Sequence, residues 1–271
     1  MTVPELIARL QIPPQTAAAL QNISMPDNHA ALKGSFFSQT PLFDQFAETD
    51  PTGLTVLNLY LHWALDTKSR YDALGIPEEY FWDSMRDLPI WCEDCLARYG
   101  SPGFKEWGWV GCSLRMEVIR IGRLQYQPNQ LVRDVTWNGA HFPAGTPVLE
   151  IHIPAGEPLN PDAVLASINR ASPFFDTYFH QQYPLFHCHS WLLCPGLKML
   201  LPEDSRIIQF QNLFAVYHTD HEERQAEERV FGHLSDDPRQ YPEHTALQKA
   251  LKQHLLNGNE VSMGAGIRVI G

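Results

Sequence analysis

The sequence is short of positive charge. Its 20 lysines and arginines stand against 31 aspartates and glutamates, for a formal net charge of −11. A nucleic-acid surface needs clustered basic side chains to release counterions, so nucleic acid is not an expected partner. An anionic group held locally by backbone N–H groups at a helix start remains compatible with that balance. Long apolar runs are also missing. No stretch approaches the ~20 apolar residues of a membrane span, and "MTVPELIARLQIPPQ" lacks the basic start and apolar core of a secretory leader. Cysteine is sparse and odd in number, at five, which suits reduced thiols and leads to the expectation of a cytoplasmic protein. Cys92 and Cys95 form a C-x-x-C in "WCEDC", but a zinc site would want a second such pair and none exists. They read as two small residues on a helix.

Forty-four per cent of the residues are hydrophobic, enough over 271 positions for one large domain or two smaller ones. Residues 1–115 read as mainly helical by hydrophobic spacing. "VPELIARL" and "QTAAALQNI" are short amphipathic helices. "GLTVLNLYLHWALDTKSRYDALG" is a long one with Leu54, Leu57, Leu61 and Leu65 on one stripe, closed by Gly75 and Pro77. The next helical segment divides at Pro89 and ends on Gly100.

Residues 116–271 change character. "MEVIRIGRLQYQP" reads as a strand, "QLVRDVTWNGAHFPAG" as another with a turn at Asn138-Gly139, and "PVLEIHIPAG" as a third. Helical spacing returns after Asn160, a capping residue followed by Pro161 at the first helical position. "LFHCHSWLL" is again strand, and "DSRIIQFQNLF" a short helix. "AVYHTD" and "RVFGHL" are possible closing strands, and "TALQKALKQHLLNG" is a last helix. The expected class is α+β, a helical N-terminal domain followed by a mixed-sheet domain.

This order of elements, together with "IGRLQYQ", "EIHIPAGEPLNP", "HSWLLCPGLKMLLPEDS", "RVFG", "YDALGIPEEYFWDSMRD" and "GFKEWGW", resembles a family of bacterial acyltransferase-like proteins. That family has a helical N-terminal domain and a C-terminal domain related to the GNAT (N-acetyltransferase) fold. The resemblance implies acetyl-CoA or another acyl-CoA as co-substrate, lying in a notch where two strands part. The pyrophosphate would meet the start of the following helix. Mapped here, "PVLEIHIP" and "FHCHSWLL" are the two strands, and Ile153, Ala155, Gly156, Asn160 and Asp162 are the implied cofactor-binding residues. The loop "PAGEPLNP" departs from the family's glycine-rich pattern, with one glycine, an acidic Glu157 and prolines that donate no N–H.

Acyl transfer to an amine needs a base, because an alkylammonium with a pKa near ~10.4 holds little free amine at neutral pH. Glu150 and His152 share one face of their strand, while Leu149, Ile151 and Ile153 point the other way. They are the candidate catalytic pair. Ser190, which has no G-x-S-x-G around it, is a candidate hydrogen-bonding group near the acyl carbonyl or thiol. His189, Trp191 and Arg123 are expected to line the substrate. Alternation also places His187, His189 and Trp191 on one face, and H-x-H on a strand is how metal-binding cupins begin. No glutamate follows until Glu203, so no metal is expected. Three readings therefore stand: an acyl-CoA-dependent acyltransferase acting on a small amine or alcohol, a non-catalytic binding or regulatory protein on the same fold, and a cupin-like metalloenzyme.

Overall fold

Local capping chemistry sets the first helices. In α1 (Val3–Leu10) the Thr2 hydroxyl accepts the Glu5 N–H while the Glu5 carboxylate accepts the Thr2 N–H, a closed capping box. The computed structural model describes residues 1–221 and 223–270. The chain divides into two units: Met1–Gln125 with Pro154–Gly156, and Tyr126–Ile153 with Glu157–Gly271.

The first unit continues through α2 (Pro14–Leu20), α3 (His29–Ser38), α4 (Pro41–Glu48), α5 (Leu54–Ala73), α6 (Glu78–Met85), α7 (Asp87–Tyr99) and α8 (Trp107–Leu114). Asp50 caps α5 by accepting the N–H groups of Gly53, Thr55 and Val56. Phe36, Phe43, Tyr60 and Trp63 form its aromatic centre, with ring centroids 4.9 to 5.8 Å apart. The Tyr60 hydroxyl is satisfied by the Trp107 carbonyl at 2.8 Å.

Two expectations are refined in this unit. The break falls at Arg86, and Pro89 is the third residue of α7, where its missing N–H belongs to no intrahelical bond anyway. Cys92 and Cys95 lie on α7, both buried. Burial pushes the Cys92 thiol up to about 12, so at neutral pH it is an inert packing group.

The chain then enters a six-stranded sheet of order β1-β2-β5-β6-β8-β7. Its members are β1 (Ile119–Ile121), β2 (Leu124–Gln130), β5 (Pro147–His152), β6 (Leu185–Ser190), β7 (Ala215–Asp220) and β8 (Met263–Val269). The segment read as one strand from Met116 is therefore two, turned at Gly122 with φ +64°. A separate antiparallel hairpin, β3 (Val135–Trp137) and β4 (Ala140–Phe142), turns at Asn138 and Gly139. Both of those residues have positive φ, 49° and 80°, as a two-residue type I′ turn requires.

Helix α9 (Pro161–Phe179) links β5 to its parallel neighbour β6. Asn160 caps it as expected. It buries Val164, Ile168, Ala171 and Phe175, and its Ser167 hydroxyl bonds the Tyr126 phenol at 2.9 Å. After β6 come a 3-10 turn (Trp191–Leu193), α10 (Leu197–Leu200), α11 (Arg206–Gln211), then β7, α12 (Gln225–Phe231) and α13 (Ala246–Leu256).

Two readings are corrected in this unit. "RVFG" closes α12, with Gly232 at φ +81° as its stop, and is not a strand. The missing strand is β8, which enters between β6 and β7 and is antiparallel to both. Its sequence "MGAGIRV" lacks a clean strand signal because Gly264 and Gly266 serve a packing need. A Cβ on Gly264 would lie 2.4 Å from the Leu193 carbonyl oxygen, and one on Gly266 3.0 Å from the Leu193 and Phe214 side chains.

The substitution Gly264→Ala is accordingly expected to destabilise the protein by ~1–3 kcal/mol through overpacking against backbone. Urea denaturation should show a lower midpoint at unchanged slope. A midpoint equal to that of the parent would show that the 3-10 turn yields freely.

Candidate functional site

The parallel ladder between β5 and β6 is short. Val148, Leu149 and Glu150 pair with Leu185, Phe186 and His187, and pairing stops there although both strands continue. From that point β6 pairs only with β8, so residues 188–190 present one unpaired edge. Glu150 stands where the strands part. One carboxylate oxygen accepts the His189 backbone N–H at 3.2 Å, and the other meets His187 Nδ1 at 2.5 Å. A side chain thus takes a β6 N–H beyond the last ladder pair, which satisfies that donor and leaves the strands apart.

The face of the sheet bearing Glu150 is polar at this level. His187 and His189 stand two residues apart on β6, while the intervening Cys188 and the following Ser190 are buried on the opposite face. His187 is engaged at both nitrogens, since Nε2 meets the Tyr217 hydroxyl at 2.9 Å. Tyr217 lies at an irregularity of β7, where the register to β8 shifts between Val216 and His218. A bulge there re-aims its side chain. Burial raises the Tyr217 phenol above its ordinary value, so at neutral pH it stays protonated. His189 Nε2 meets Asp220 Oδ2 at 2.9 Å.

His152 lies at the end of β5, with Nε2 at 3.0 Å from Gln127 Oε1. Its burial disfavours the imidazolium and lowers its pKa below 6.5, with the Glu150 charge opposing and His187 assisting. Glu150 and His152 occupy one strand face as expected, but the partner of Glu150 is His187. Ser190 is buried, and its hydroxyl accepts the Leu192 N–H, capping the 3-10 turn. Trp191 is a correction: β6 ends at Ser190, and Trp191 begins that turn and packs against the cluster of Cys194, Leu197 and Ile208. It therefore leaves the alternation of His187 and His189. The Arg123 guanidinium is buried in the first unit and donates to the Pro154 carbonyl at 3.1 Å.

The start of α9 shows what could hold a phosphate. Asn160 Oδ1 accepts the N–H groups of both Asp162 and Ala163, and Pro161 has none to offer. The Asn160 N–H itself goes to the Pro158 carbonyl. The donors that a diphosphate would take are thus held by the helix's own cap, with Asp162 and Glu157 adding negative charge nearby. Ala155 and Gly156 are exposed, Ile153 is half-buried, and Gly156 turns at φ +87°.

His187 meets Glu150 and Tyr217, and His189 meets Asp220. Among the described residues no group of three or more His, Cys, Asp or Glu side chains is placed to hold an ion. The sequence signals that could have found Tyr217, Asp220 and Gln127 are absent, because each meets its histidine from a strand distant in sequence.

An open mixed sheet whose two central parallel strands part beside a connecting helix is the arrangement that the GNAT resemblance implies. Residues 118–268 match the family described as the GNAT-like C-terminal domain, and residues 1–116 match the N-acyltransferase N-terminal domain. The chain belongs to this acyltransferase family, with a helical N-terminal domain and a GNAT-like C-terminal domain. Among solved structures, it is similar to an acyltransferase in complex with decanoyl-CoA and teicoplanin. The identity is 25% and the TM-score 0.79, covering 99% of this chain and 88% of that one. An acyltransferase mutant in complex with octanoyl-CoA matches at 24% identity and TM-score 0.79 over the same shares. An acyltransferase in complex with decanoyl-CoA matches at 22% identity and TM-score 0.68 over the whole of both chains. No curated protein matches.

The lowered pKa of His152 has a consequence for stability. The contribution of this group is present above its unfolded value of about 6.5 and is lost as pH falls toward the lower folded value, because the unfolded chain binds the proton more readily. Replacing His152 with Gln should flatten this part of the acid-side stability loss, read from denaturation midpoints between pH 7.5 and 4.5. Parallel profiles for the two proteins would show that His152 does not contribute to it.

Proposed function

We propose that this chain transfers an acyl group from an acyl-CoA to a small amine or alcohol. The observation that carries the reading is the parting of β5 and β6 directly after Glu150 and His187, with polar side chains on one face of the opening. Family membership supports the reaction class. The complex of a similar acyltransferase with decanoyl-CoA and teicoplanin supports a fatty acyl donor and a small-molecule acceptor. In this reading the helical part, residues 1–115, and the GNAT-like part, residues 116–271, are the two domains. The family matches that meet between residues 116 and 118 support that division. A cytoplasmic location is in keeping with the free thiols.

When bound, acyl-CoA supplies an activated carbonyl. The residues of this chain position it and manage protons. Glu150 holds the edge of β6 through the His189 N–H, and it holds His187 through Nδ1. The backbone N–H of Ile153, just after β5, is the proposed oxyanion donor. His152 and Ser190 flank the same opening, and Asn160 with Asp162 forms the helix start toward which the diphosphate would lie. A second reading, a binding protein that has kept the fold without turnover, is favoured by one observation: the self-capped helix start.

Thermal-shift titration with octanoyl-CoA, followed by thiol release in the presence of primary alkylamines and alkyl alcohols, separates the two readings. Stabilisation together with acceptor-dependent thiol release is expected for the enzyme, and stabilisation without release for the binding protein. Glu150→Gln is expected to lower kcat by ~10²-fold or more, since it removes the charge that orders both histidines. A wild-type rate in that variant would remove Glu150 from the machinery.

A further inference from the structure

Three histidines on β5 and β6 stand at the opening, and their surroundings differ in a way that assigns them different tasks. His187 has no nitrogen left for a substrate, because Glu150 and Tyr217 take both. Its side chain is only 12% exposed. His152 has Nε2 on Gln127, and burial keeps it neutral. His189 is the exception. It is 38% exposed, its Nε2 lies on the Asp220 carboxylate, and its Nδ1 has no hydrogen-bond partner among the described residues.

A carboxylate on one nitrogen places the proton there and leaves the lone pair on the other. With Nε2–H donating to Asp220, Nδ1 is the basic atom. The backbone of the same residue is tied by its N–H to Glu150, so ring and main chain are held from two sides. The contact across the sheet depends on a small residue. His189 of β6 and His218 of β7 both register against Ala265 of β8, and Asp220 registers against Met263. The two outer strands are about 10 Å apart, and the short Ala265 side chain lets an imidazole and a carboxylate meet above it.

We propose that His189 is the general base of the acyl transfer and that Asp220 is its positioning residue. This rests on the acyltransferase reading and revises the roles within it: His152 and His187 are structural, and Glu150 acts on the main chain of His189. The amine nitrogen bonds to the thioester carbon as Nδ1 of His189 takes one of its protons. The carbon–sulfur bond breaks with its electron pair going to sulfur, and the imidazolium, stabilised by Asp220, returns the proton to the thiolate. The products are an amide and a free thiol, with His189 neutral again.

The test uses the full-length protein, octanoyl-CoA as donor and hexylamine as acceptor, with thiol release as the readout. His189→Ala is expected to lower kcat by ~10²–10⁴-fold, to leave the KM for octanoyl-CoA within about two-fold, and to regain rate on addition of imidazole. Asp220→Asn keeps a hydrogen-bond acceptor and removes the charge, so the acid limb of its kcat/KM profile should move to lower pH. Among the described residues, the charged and titratable groups near His189 are Glu150 and His152 from β5, His187 from β6, and Tyr217, His218 and Asp220 from β7. The His187→Gln and His218→Gln profiles therefore serve as comparisons and should keep the wild-type limb more closely than Asp220→Asn does. Nitrogen-15 imidazole spectra give a readout independent of turnover, with His189 protonated at Nε2 in the wild type.

Full activity in His189→Ala, or a proton on Nδ1 in those spectra, overturns the proposal while leaving the acyltransferase reading intact. Wild-type protein that releases no thiol with any primary amine or alcohol overturns both.

Discussion

The carboxylate of Glu150 is the point on which this sheet turns. In a continuous parallel ladder backbone carbonyls would take the N–H groups of β6. Here the side chain of a β5 residue takes the N–H of His189, and the strands separate without leaving that donor unsatisfied. The second oxygen engages His187, which engages Tyr217 in turn. An acid with only 8% of its side chain exposed carries a desolvation penalty, and partners at both oxygens offset it. Removing any one of them would leave a nearly buried polar group without its complement, which is why the arrangement acts as a unit.

The polar face exists because β8 lies where it does. A strand from the end of the described chain separates β6 from β7, and its residues alternate between two demands. Gly264 and Gly266 face Leu193 and Phe214, where no Cβ fits. Ala265 faces the other way, low enough for a β6 histidine and a β7 aspartate to meet over it. The bulge at Tyr217 completes the pattern by changing the register of β7 between Val216 and His218. Each of these devices is local, yet together they bring four segments of the chain to one small area.

Much of the framework was legible because its signals are short-range. Asn138-Gly139 has the chemistry of a two-residue hairpin turn, and the turn is there. Asn160-Pro161 reads as a helix start, and the side chain caps as its chemistry dictates. The alternation in "LFHCHS" places its histidines correctly. It fails only at Trp191, where the hydroxyl of Ser190 turns the chain into a 3-10 helix. β8 escaped notice for a physical reason: glycines that serve close packing look the same in a sequence as glycines that serve a turn.

The sequence by itself determined the class of the fold, its helical and mixed-sheet halves, and the set of residues able to carry acid–base chemistry. Those properties follow from periodicity, capping and side-chain type, which act over a few residues. Only the tertiary structure decided how that chemistry is divided among the histidines. Glu150 meets His187 across 37 positions and His189 meets Asp220 across 31, and no local pattern encodes either pairing. The same residue type is largely buried and doubly bonded at 187, desolvated at 152 and, among the described residues, free on one nitrogen at 189. Those differences arise from which strands lie beside each histidine.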